Sequence, residues 1–91
     1  MEVKAMKKLL KDACLFSVAN CREAFIYEYP NGKRCYSDLA TVNHIMNKRH
    51  ENIHILYNMY RIKNSSLIAI FNMKSGDYSY YDFKNNEFFK A

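Results

Sequence analysis

The stretch His50-Glu51-Asn52-Ile53-His54 sets two imidazoles four positions apart, with a carboxylate directly after the first. On an α-helix that spacing brings both rings to one face, one turn apart. They could then chelate a zinc ion, with Glu51 taking a proton from the metal-bound water. His50 and His54 are therefore the candidate metal ligands and Glu51 the candidate base. No His follows His54, so a third ligand would have to come from Asp77, Asp82 or Glu87. Other reactive residues form no comparable set. Cys14, Cys21 and Cys35 contain no CxxC pair and lack zinc-finger spacing. The only glycines, Gly32 and Gly76, make no phosphate-cradling loop, and no Ser or Cys nucleophile is singled out beside His44.

Over these five residues the chain resembles zinc metallopeptidases of the zincin type. The resemblance implies ligand roles for His50 and His54 and a general-base role for Glu51. It departs from that pattern in the charged pair Lys48-Arg49 just before the match. It also requires helix through His54. A long helix over 38–62 would present Ile45, Arg49, Ile53, Leu56 and Tyr60 on one face. Yet Ile53 to Ile62 is nearly apolar all round as a helix and alternates well as a strand. As a strand it loses the chelating geometry, so no catalytic residue is assigned and no cofactor is expected.

The elements around this stretch read as an α+β chain. Val3, Met6, Leu10 and Ala13 recur at helical spacing and predict a helix over 2–16, its lysines mostly on the other face. Residues 23–29 alternate as a strand, and Pro30-Asn31-Gly32-Lys33 turns the chain back. A two-residue Asn-Gly turn would pair Tyr29 with Arg34 and Tyr27 with Tyr36, placing Phe25, Tyr27, Tyr29 and Tyr36 on one face. Ser37 is the expected cap of a second helix, with Asp38 in its first turn, Leu39, Val42, Ile45 and Met46 as its stripe, and Lys48, Arg49 and His50 at its end.

A three-strand meander follows over 53–84, turning at Lys63-Asn64-Ser65-Ser66 and at Lys74-Ser75-Gly76-Asp77. A loop at Asn64-Ser65 sets Ile62 against Leu67, Tyr60 against Ala69 and Leu56 against Met73. Phe88-Phe89 is expected to fold back onto this sheet. The order helix, hairpin, helix, meander (αββαβββ) makes one small domain over 1–91, with helices mainly on one face of an antiparallel sheet.

The meander is apolar on both sides. Leu56, Tyr60, Leu67, Phe71 and Met73 form one face; Ile55, Tyr57, Met59, Ile68 and Ile70 form the other. Two helices on one side leave the second set uncovered, so those five residues are expected to form an interface with a partner or a homodimer.

Fourteen basic and nine acidic residues leave a net charge of +5, which favours an anionic partner without demanding one. The candidate contacts to nucleic acid or a partner are Lys7, Lys8, Lys11, Lys33, Arg34, Lys48 and Arg49, with Tyr27, Tyr29 and Tyr36 as stacking groups. Three cysteines leave one unpaired, and no export signal or membrane-length apolar run occurs, which points to a reducing cytoplasm. Ten Asn and ten Lys beside eight Tyr suit an AT-rich coding sequence such as those of low-GC bacteria and their phages.

The expectation is a non-enzymatic binding module that attaches to a larger protein or nucleoprotein complex. A phage or mobile element is the expected source, and inhibition of a defence nuclease, in the manner of small anti-CRISPR proteins, fits the size, compactness and absence of catalytic motifs as an analogy of type. Direct nucleic-acid binding and a small zinc hydrolase are the alternatives.

Overall fold

The computed structural model describes residues 3–90; residue 2, the expected start of the first helix, lies outside them. Helix α1 spans Val3–Asn20, one turn beyond its expected end. Its end is set by backbone chemistry. Cys21 adopts φ 51, its N–H donates to the Val18 carbonyl (3.3 Å), and the Arg22 N–H donates to the Ser17 carbonyl (3.2 Å). That pair of bonds satisfies two of the last helical carbonyls and turns the chain sharply into the sheet.

The remaining elements are β1 (Ala24–Glu28), β2 (Arg34–Ser37), α2 (Leu39–Asn43) running into a π-helical segment (His44–Lys48), β3 (His54–Arg61), β4 (Leu67–Asn72), β5 (Tyr78–Asp82) and β6 (Glu87–Lys90). The six strands form one antiparallel sheet in the order β2-β1-β3-β4-β5-β6. The class is α+β, as read from the sequence. The meander has a fourth strand, because Phe88-Phe89 folds back as β6 against β5.

The helices lie on opposite faces, not together on one. Ala13 and Cys14 of α1 pack with Ala24, Ile26, Met59, Ile68, Ile70 and Tyr81. Val42 of α2 and Ile45 of the π segment pack with Phe25, Tyr27 and Ile53. Topology accounts for this. Strand β3 pairs with β1 on the side away from β2, so β2 and β3 run parallel with β1 between them. A crossover between parallel strands is strongly handed, which gives α2 one face to cross and leaves the other to α1.

Three local details differ from the sequence reading. The first hairpin pairs Glu28 with Arg34, Tyr27 with Cys35 and Ile26 with Tyr36. Pro30 cannot reach positive φ, so it and Asn31 fill the centre of a turn closed by the Gly32 N–H on the Tyr29 carbonyl (2.8 Å), and Gly32 alone is left-handed at φ 90. The loop is longer by one residue, and a one-residue slip moves side chains to the opposite face.

The second difference is a bulge in β3 between the partners of Ile26 and Tyr27, where Tyr57 and then Ile55 are paired. It turns Leu56 toward the α1 core and Ile55 toward the α2 core. The third is the cap of α2. Asp38, not Ser37, fills this role, its Oδ1 accepting from the Thr41 N–H (2.9 Å) while Arg22 Nη1 holds Oδ2 at 2.8 Å. Thr41 and Arg22 together keep the Asp38 carboxyl below its usual range.

Candidate binding surfaces

The zinc reading fails on backbone geometry. His50 has φ 54 and lies past the π segment, while His54 begins β3, so helical one-turn spacing does not exist between them. Among the described residues no group of three His, Cys, Asp or Glu side chains is placed to hold a metal ion. Glu51 instead sits beside Arg49, whose Nε is 3.2 Å from a carboxylate oxygen closed off from solvent. That oxygen has no well-directed hydrogen bond, so proximity of charge is its compensation.

The expected interface residues are occupied within the chain. Met59, Ile68 and Ile70 are buried beneath α1, Tyr57 packs against the same core, and Ile55 packs under the π segment through the bulge. Helix α1 fills the place assigned to a second chain.

The three candidate stacking tyrosines do not form one platform. Tyr27 is buried edge-on to Tyr29 under α2 (5.8 Å between ring centroids), and burial above all pushes its hydroxyl up to about 12. Tyr36 lies on the opposite side of the sheet, edge-on to Phe16 of α1 at 5.5 Å.

Of the candidate cations, Lys7, Lys8 and Lys11 line one groove with Asn86, Glu87 and Phe88, and the others are divided. Lys8 pairs with Asp12 at 2.9 Å on the surface of α1, where Asp12 raises the lysine's proton affinity, and Lys11 lies one turn further along the helix. Arg34 pairs with Glu28 at 2.8 Å, Arg49 pairs with Glu51, and Lys33 and Lys48 are exposed. Lys7 and Arg34 do converge, on the two sides of a groove between α1 and the sheet.

The sequence reading set Tyr60, Phe71 and Met73 on the face left to the helices, and they lie instead on the open half of the sheet face that α2 partly covers. The ten residues of α2 and its π segment, at about 1.5 Å each, span roughly 15 Å, against a six-strand sheet about 24 Å across. They cover the β1–β2 end and the start of β3 at Ile55, and leave the rest of β3 through β6 without a helix over it. There a row crosses four strands through Tyr60, Ala69, Tyr80 and Phe89, and a second row runs through Asn58, Phe71 and Tyr78.

Tyr60 is 37% exposed, Tyr78 and Phe89 42% each, and Met73 at the end of β4 46%. The rings brace one another. Tyr80 stacks on Phe89 at 5.7 Å, Phe71 meets Tyr78 at 5.0 Å, and the neighbouring Tyr78 side chain first of all holds the Tyr60 hydroxyl above its ordinary range. The signal for this surface was present in the alternation Tyr78-Ser79-Tyr80-Tyr81, with Ser79 and Tyr81 on the α1 side and the other two outside.

No protein-family model, curated protein or solved structure matches the chain. No helix of the described residues is long and apolar enough to cross a membrane.

Proposed function

We propose that the chain is a non-enzymatic binding module whose open β3–β6 face docks onto a larger protein. The observation that carries this reading is the braced, half-exposed aromatic surface of Tyr60, Phe71, Met73, Tyr78, Tyr80 and Phe89. Rings held by their neighbours lose little conformational entropy on binding, and tyrosines are enriched among the residues that dominate protein interfaces. Three of the rings carry hydroxyls, which hydrogen-bond to water in the free chain and to a partner in the complex. That character suits an association that forms and dissolves better than a permanent dimer core.

Nucleic acid is the second reading, and the convergence of Lys7 with Arg34 favours it. Those cations lie on the α1 side and meet the aromatic rows only at Phe89, so a strand tracking the phosphate contacts would reach no more than the β6 edge of those rows. Blocking a nucleoprotein machine or defence nuclease in a reducing cytoplasm is the finer form of the protein-binding proposal. Small size, net positive charge and three free thiols support it.

The test is capture from a bacterial lysate with and without nuclease, comparing the native chain with Tyr78→Glu and with Leu39→Glu, a comparably exposed apolar site on α2. Capture should survive nuclease and Leu39→Glu and fall about tenfold or more with Tyr78→Glu. Capture lost to nuclease, or equally sensitive to both substitutions, would refute the proposal.

A further inference from the structure

We infer that the groove between the first three turns of α1 and the sheet binds a small amphipathic anion, an apolar body carrying a carboxylate or phosphate head. The groove encloses about 500 Å³, within the roughly 300–1,000 Å³ of ordinary small-molecule sites. Its walls divide by chemistry. Met6 and Leu10 of α1 and Phe88 of β6 supply apolar surface, and all three are half-buried. Lys7, Arg34 and Lys90 supply positive charge from three different elements, α1, β2 and β6.

No Asp or Glu lines the groove among the described residues. Arg34 shares its charge with Glu28, but Lys7 and Lys90 have no carboxylate within ion-pairing distance among the described residues. The Lys7 ammonium is held over the Phe88 ring, 5.7 Å from its centroid, which sets a cation above the apolar wall.

This arrangement selects the ligand class. A nucleic-acid backbone would use the cations and leave the apolar wall wet, whereas a neutral apolar molecule would use the wall and ignore three converging positive groups. An anionic head on an alkyl or aryl body uses both. The site lies on the α1 side of the sheet and shares Phe89 with the docking surface proposed above, meeting that face only at the β6 edge, while Lys7 and Lys90 belong to the groove and not to that face.

The experiment is calorimetric titration of the full chain, at low salt and below micelle-forming concentrations, with dodecanoate, dodecyl phosphate and dodecanol. The anions should bind at one saturable site and dodecanol about tenfold more weakly or worse. The two anionic arms distinguish a carboxylate from a phosphate head. The double substitution Lys7→Glu with Lys90→Glu, both exposed positions, should weaken the anions by about tenfold or more.

Lys84→Glu, in the β5–β6 turn and outside the groove, should change affinity by no more than about twofold. Thermal melts of each variant, unchanged from the native chain, separate loss of the site from loss of the fold. Absence of saturable anion binding, equal binding of dodecanol, or an equal effect of Lys84→Glu would overturn the inference.

Discussion

Cys14 is shut off from solvent inside the α1 core, and burial alone pushes its thiol up to about 12. Since the thiolate is the reactive form, Cys14 is inert in the native chain at ordinary pH, while Cys21 is exposed on the turn after α1. In a Cys21→Ser, Cys35→Ser variant at pH 8, an aromatic disulfide reagent should leave Cys14 unmodified until denaturant is added; prompt modification without denaturant would show that α1 does not seat as described. The residue scale is also where letters mislead most. His50-Glu51-Asn52-Ile53-His54 has the composition of a zinc site, yet its chemistry depends on a backbone that His50 leaves at φ 54. Nothing in those five side chains dictates helix. The decision is made downstream, where Ile53, Met59 and their neighbours find partners on both faces of a sheet.

Among the elements, β4 is deeply held, with Ile68, Ala69 and Ile70 all buried, second only to β1, where Ala24 to Tyr27 are all buried. Ile68 stands in a row between Arg61 and Tyr81, and Tyr81 is itself buried and donates its hydroxyl to Asn86 Oδ1 at 2.6 Å. Ile68→Ala should cost about 2–5 kcal/mol by urea denaturation, as for other large-to-small changes in a packed core. Ile62→Ala, half-buried beyond the end of β3, should cost well under that. Equal losses would mean that α1 does not cover this face. The β3–β4 register was legible because Asn64 accepts φ 60 and the two flanking strands alternate cleanly. The first hairpin was not, because Pro30 changes which residues Asn31-Gly32 can turn between. The bulge at Leu56 left no mark in the sequence, since Ile55, Leu56 and Tyr57 are all at home in either core.

At the scale of the whole molecule, one sheet holds two separate cores, α1 over one face and α2 with its π segment over part of the other. Alternation along the strands shows which residues share a face, but not which helix takes it. That depends on the β2-β1-β3 order, a long-range pairing that no local pattern encodes. The expected homodimer rested on a bare face of Met59, Ile68 and Ile70, and α1 covers that face. The chain should accordingly sediment as a monomer; a dimer dispersed by Tyr78→Glu would assign the aromatic surface to a second copy.

The claim that the open β3–β6 face receives a different protein is met most directly by photochemistry. Benzoylphenylalanine is placed at position 78 in one variant and at position 39 in another, and each is irradiated in a bacterial lysate with the native chain as competitor. Position 78 should yield a nuclease-resistant adduct to one larger protein, suppressed by the competitor, with no such adduct from position 39. Equal labelling from both positions, an adduct of two copies of this chain, or no adduct from position 78 would contradict the account.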